Sequence, residues 1–209
     1  MQPTATTRLE RKKEITTQKI ISAAMRLFVE QGVDSTTMEQ IAAQVDVAKG
    51  TLYNYFPVKE AIIDEYIKRS FAERSTQRQV RLRKLPDTRS RMIAILDELM
   101  EGVRAQHEIF EKYFVYRIQN MLSLRQDERG NGSGFFPLEA DLIELGQNDG
   151  EIRTDLPLEI LTGLFEFVFV KVAQRYYQAP AQFKSRQIIE QCVDLFMNGV
   201  AVKYRVLLK

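Results

Sequence analysis

Between Ala48 and Phe56 the chain sets a cation, a glycine, three hydroxyl groups and an amide within two turns of helical spacing: Lys49, Gly50, Thr51, Tyr53, Asn54 and Tyr55. No general base, metal-ligand spacing or nucleophile elbow accompanies them. What they share is hydrogen bonding toward phosphate oxygens and base edges. A lysine can reach guanine acceptors or a phosphate, and a threonine can meet a thymine methyl or a phosphate. Tyrosine hydroxyls can donate to phosphate oxygens, and the missing side chain of Gly50 lets the backbone come close to a groove. Asn54 suits a base contact or a phosphate contact. Upstream, Thr37 heads a second short helix whose first amides and hydroxyl suit a further phosphate. Downstream, Lys59 opens the next helix, where it can clamp the same strand. Arg8, Arg11, Lys12 and Lys13 could extend such a surface, and a merely solvated tail fits them equally well.

Helical periodicity supplies the elements that must position these groups. From Thr17 the apolar residues Ile20, Ala24, Leu27 and Phe28 recur at helical spacing, and Gly32 stands where a C-cap glycine belongs. The run Thr36-Thr37-Met38-Glu39-Gln40 holds a capping box with either threonine as cap. Met38, Ile41, Ala42 and Val45 then give a helix of barely two turns. Asp46 and Val47 connect it to another short helix that stops before Pro57. Val47, Leu52 and Phe56 turn inward, which leaves Lys49, Thr51, Tyr53 and Asn54 outside. Two short helices on a tight turn, crossed by a third, make a helix-turn-helix.

Further along, a helix from Lys59 into the seventies buries Ile63, Tyr66, Ile67 and Phe71. The basic stretch from Lys68 to Arg91 reads as a solvated face. Asp87 caps a helix carrying Met92 to Val103, and another carries Ile109 to Ile118. Gln126 to Gly134 is the clearest loop. Helices follow over about 137–145, 158–177 and 182–202, and Gly150 ends the first of these three. With no strand signature, an all-α chain is predicted in three segments: a flexible basic arm over 1–14, the helix-turn-helix over 15–62 and a helical body over 63–209.

The run Phe28 to Gly32, then Thr36 to Ala42, then Lys49-Gly50-Thr51-Leu52-Tyr53-Asn54-Tyr55-Phe56-Pro57-Val58-Lys59-Glu60, resembles the DNA-binding domain of the tetracycline-repressor (TetR/AcrR) family over roughly residues 15 to 65. Three positions depart from the family pattern. Asp46 replaces a common turn glycine, and Ala48 replaces a capping serine or threonine, at a typical cost of ~1 kcal/mol. Val58 replaces another capping residue. The resemblance implies a transcriptional regulator that binds an operator in double-stranded DNA, with a C-terminal helical domain for ligand binding and dimerisation.

The residues of that body give expectations of their own. The helix around Leu158 to Tyr177 is apolar on nearly all sides, so one face belongs to the core and another to a partner subunit. A homodimer interface is expected on Leu161, Phe165, Val168, Phe169, Ile189, Val193, Phe196 and Val200, against the alternative of a thick monomeric core. Paired recognition helices would read two half-sites of a palindrome. A pocket for a small apolar or amphipathic effector is expected on Met92, Leu96, Met100, Phe110, Tyr113, Phe114 and Phe165, with Arg117 available to an anionic head group.

Bulk properties set the bounds. In 209 residues, 44% are hydrophobic, enough for a real core, and the net charge of +2 is too small for bulk charge to announce a nucleic acid. The sole cysteine, Cys192, excludes an internal disulfide and a multi-cysteine zinc site. The absence of a secretory signal and of a bilayer-length apolar run predicts a cytoplasmic protein without a membrane partner. Neither a cofactor nor a metal is implied, and an enzyme is not expected. A second reading makes Cys192 a thiol sensor, although its apolar neighbours favour an inert thiol. His107, beside Glu108, reads as a capping or surface residue.

Overall fold

The computed structural model describes residues 7–121 and 136–200, and among these it contains ten α-helices and no strand. The chain divides into two compact units. The first comprises α1 (Arg8–Gln31), α2 (Met38–Gln44), α3 (Lys49–Tyr55), α4 (Lys59–Glu73) as far as Arg69, and α7 (His107–Met121) from Glu108 onward. The second holds α5 (Ser75–Leu82), α6 (Thr88–Ala105), α8 (Phe136–Asn148), α9 (Leu158–Gln178) and α10 (Ser185–Val200), the last preceded by a 3₁₀ turn over Pro180–Gln182. The stretch Gln126 to Gly134, expected as a loop, lies outside the described residues.

In the first unit, α1 begins at Arg8 rather than near Thr17, so the expected arm is helical from residue 8. Apolar periodicity could not reveal this, because residues 8–14 bury nothing. A capping box carries the start instead: the Glu10 amide donates to Thr7 Oγ1 at 3.2 Å, and the Thr7 amide donates to Glu10 Oε2 at 2.7 Å. Arg69 of α4 then ties the exposed turns down by pairing with Glu14 and by donating to Gln18 at 3.1 Å. The helix ends at Gly32, whose φ of 84° favours glycine. Ile20, Ala24, Phe28, Ile41, Leu52, Ile63 and Ile67 are among the buried residues of α1 to α4. Tyr66, expected in that set, is half-buried, and Ile62 is buried in its place.

In the second unit, α10 packs on α6 and α9, and α8 packs on α9 and α6. Asp87 caps α6 as expected, accepting from the Ser90 amide at 2.7 Å. The basic stretch is not simply a solvated face. Arg78 is buried, donating to Phe71 O at 3.0 Å and to Glu98 at 3.1 Å while stacking on the Phe71 ring. Arg91, also buried, donates to Leu82 O at 3.3 Å and pairs with Asp149 at 2.5 Å. Buried guanidinium groups are tolerated because carbonyls and carboxylates satisfy them.

The turn between α2 and α3 explains one departure from the family pattern. Asp46 has φ 54°, the only positive φ of a non-glycine residue among those described. A Cβ is disfavoured there, and aspartate is among the side chains that tolerate it. Replacing Asp46 by glycine is therefore expected to raise stability by about 0.5–1 kcal/mol in urea unfolding. A loss of stability in that variant would show that the turn is not strained at this position.

Candidate nucleic-acid interface

The geometry of the interface starts at the turn before α2. Val33 is buried there, and the Val33 amide has no helical partner; Glu108 of α7 accepts from it at 2.7 Å. Lys59 reaches the same turn from α4, donating to Val33 O at 2.6 Å and to Thr36 O at 3.3 Å. Lys112 pairs with Asp34 at 2.7 Å, and this contact holds the Asp34 carboxyl below its usual range. Lys59, expected to clamp a DNA strand, is engaged with its own chain in this arrangement. Its ammonium is turned inward onto the backbone carbonyls of the turn, adding a second donor to Val33 O, which also accepts from the Thr36 amide at 3.2 Å.

Of the two threonines, Thr37 is the cap of α2. The Gln40 amide donates to Thr37 Oγ1 at 3.2 Å, and the Thr37 amide donates to Gln40 Oε1 at 2.8 Å. Thr36 is buried and donates its hydroxyl to Gly32 O at 2.8 Å. Thr37 itself stays exposed at the head of α2.

Helix α3 is fixed by one side and open on the other. Leu52 is fully buried and Phe56 is buried, while Val47 is half-buried. Lys49, Gly50, Thr51, Tyr53 and Asn54 are exposed together, and nothing lies within 4 Å of a Cβ built on Gly50. Tyr55 is half-buried, so less of it faces outward than its spacing implied. Ala48 has the extended backbone of an N-cap and no side-chain cap hydrogen bond. Lys49 pairs with Glu39 of α2 and lies 5.8 Å from the centre of the Tyr53 ring. The hydrogen bond to Lys49 lowers the Glu39 pKa and raises that of Lys49, so both stay charged at neutral pH. The sequence did not single out Glu39, because its partner lies across the α2–α3 corner, ten positions on.

The candidate effector residues fall in different parts of the chain. On α6 and α9, Met92, Leu96, Met100 and Phe165 are all buried. On α7, Phe110, Tyr113, Phe114 and Arg117 are buried.

The expected dimer residues differ in how much surface they keep. Leu161, Phe165, Phe169, Ile189, Val193 and Phe196 are buried within the protomer, and Val168 is half-buried. Leu161, Ile189 and Val193 have no exposed surface in the single protomer, whereas Val168 keeps some. The apolar side chains left outside on α9 and α10 are Ile160, Leu164, Phe167 and Leu195, the last 79% exposed. The side chain of Val200 lies outside the described residues.

Two further groups bear on other chemistries. The Cys192 thiol is half-buried, and burial pushes its pKa up, away from a reactive thiolate. His107 is exposed; its ring lies 4.4 Å from that of Tyr177, which donates its hydroxyl to His107 O at 2.7 Å. Among the described residues no helix is long and apolar enough to cross a membrane.

Known proteins similar to this chain bear on its fold and function. Residues 20–66 match the family described as bacterial regulatory proteins, tetR family. Along most of its length the chain is 23% identical to the HTH-type transcriptional repressor KstR2 of Rhodococcus jostii (strain RHA1), over 88% of this chain and 90% of that protein. It is 22% identical to the fatty acid metabolism regulator protein of Bacillus subtilis (strain 168), over 87% and 94% of the two chains. Among solved structures it is similar to Thermus thermophilus FadR, a TetR family transcriptional repressor in complex with lauroyl-CoA. The TM-score there is 0.70 at 25% identity, over 90% of this chain and 96% of that one. Residues 20–66 thus carry a tetR-family DNA-binding domain, and the chain is similar over most of its length to TetR-family repressors, which makes it a DNA-binding transcriptional regulator rather than an enzyme.

Proposed function

We propose that this regulator is a ligand-released homodimeric repressor acting in the cytoplasm, with residues 15–62 binding DNA and residues 63–209 serving effector and partner. Two copies of α3 would enter successive major grooves of a palindromic operator, with Thr37 at a flanking phosphate. The observation that carries the DNA reading is the two-sidedness of α3. Leu52 is fully buried behind it, while Lys49, Gly50, Thr51, Tyr53 and Asn54 stand exposed in front. We place Tyr55 at the edge of this surface and leave Lys59 out of it.

For the partner, the second copy is proposed to cover Ile160, Leu164 and Phe167 of α9 together with Leu195 of α10. The three α9 residues follow one another at helical spacing and are each about half exposed. Gly163 and Gly199 belong to the same two helices, and a Cβ built on either meets nothing within 4 Å, so a neighbouring helix could approach closely there.

For the effector, the proposal is a long-chain acyl-CoA thioester, an amphipathic molecule with an anionic head. Support comes from the lauroyl-CoA held by the Thermus thermophilus repressor and from the buried apolar side chains Met92, Leu96, Met100 and Phe165. Phe110, Tyr113, Phe114 and Arg117 of α7 are candidates for effector contact in their own right. Release requires that the thioester bind the DNA-free conformation better than the DNA-bound one.

Two measurements test this reading. Tyr53→Ala should lose at least tenfold in duplex affinity at matched salt, with an unchanged circular dichroism spectrum; unaltered affinity would refute the placement of α3 in the groove. Saturating lauroyl-CoA should weaken duplex binding by about 5- to 150-fold, while free coenzyme A leaves it unchanged. A duplex affinity indifferent to lauroyl-CoA would remove the acyl-CoA assignment.

A further inference from the structure

Lys49 is the only charged residue of α3, and it does not face outward alone. Its ammonium pairs with the Glu39 carboxylate of α2 and lies near the Tyr53 ring. Both partners are largely exposed, with 61% of the Lys49 side chain and 52% of the Glu39 side chain accessible. An ion pair so open to water contributes little to folding. Its consequence lies in what the surface presents to a duplex.

The other exposed residues of α3 carry no charge, so the pair leaves the face neutral. Such a face is poorly suited to a generic polyanion. Each cation that neutralises a phosphate adds about 0.9 to the salt slope of binding, and Glu39 offsets what Lys49 would add. Base edges pose a different problem. In the major groove a guanine–cytosine pair presents the guanine N7 and O6 acceptors beside the cytosine N4 amine donor. An ammonium that gives one N–H to a carboxylate keeps others for N7 and O6. The carboxylate in turn keeps acceptor capacity for the cytosine amine. The Tyr53 ring favours the lysine position through its π face.

We propose that Glu39 and Lys49 act as one charge-neutral unit that reads a guanine–cytosine pair, with Glu39 holding Lys49 away from phosphates. This rests on α3 being the groove-facing helix. Glu39 would then be a specificity-determining residue that weakens non-specific binding while sharpening base choice.

The test uses the full chain, with Glu39→Gln and Lys49→Gln as single variants and as the double variant. Each is titrated over a range of salt with a duplex recovered by selection, with single-base-pair variants of that duplex, and with a scrambled one. Circular dichroism checks the fold. Glu39→Gln should bind the scrambled duplex more tightly, with a salt slope steeper by about 0.9. It should also lose about tenfold in preference at one guanine–cytosine position of each half-site. Lys49→Gln should lose preference at that same position, and the double variant should lose no more than either single one. The proposal needs both changes in Glu39→Gln; a steeper slope without a relaxed base pair, or the reverse, overturns it. If Glu39→Gln changes nothing while Lys49→Gln still weakens binding, the paired reading fails and α3 remains in the groove. If neither variant alters binding to any duplex, the groove assignment of this face fails as well.

Discussion

The turn from Gly32 to Thr36 joins α1 to α2, and its internal hydrogen bonds, from Thr36 to Val33 O and Gly32 O, leave other backbone groups of the turn to partners outside it. Buried amides and carbonyls without partners are costly, so something outside the turn must supply them. Lys59 of α4 donates to the carbonyls, Glu108 of α7 accepts from the Val33 amide, and Lys112 of α7 holds Asp34. Three charged side chains from two later helices thus fix the start of α2. Because α3 packs on α2, they also bear on how Lys49, Thr51, Tyr53 and Asn54 are presented. The placement of α7 from Glu108 in the same compact unit as α1 to α3 follows from this arrangement.

A similar economy governs charge throughout. The chain is close to neutral, and several of its basic residues work inside it. Arg69 steadies the start of α1, while Arg78 and Arg91 satisfy carbonyls at helix ends. On α3 the single cation already has a carboxylate partner. What the exposed face of α3 offers is therefore shape and hydrogen bonding more than net charge.

Much of the DNA-binding head was legible in the sequence because its signals are local. The Thr37 capping box, the C-cap glycine at Gly32 and the inward spacing of Leu52 and Phe56 each act within a few residues. The start of α1 was also written locally, as Thr7 and Glu10, but apolar periodicity is silent where a helix buries nothing. The contacts of Lys59 and Glu39 escaped the sequence for a different reason. Their partners lie across helix corners, and spacing along the chain carries no trace of them. The sequence could not divide α9 between core and outer surface, because an all-round apolar helix does not declare which side meets its own core. Burial assigns Leu161, Phe165 and Phe169 to the protomer and leaves Ile160, Leu164 and Phe167 outside.

The central claim is that α3, held by Leu52 and the clamped turn behind it, reads DNA as one half of a symmetric pair. Selection of bound sequences from a pool of random duplex DNA tests it most directly. The account predicts enrichment of a palindrome whose half-sites are centred about one helical turn apart, or a multiple of that spacing. Recovery of a single asymmetric site, or no enrichment over the starting pool, would contradict it.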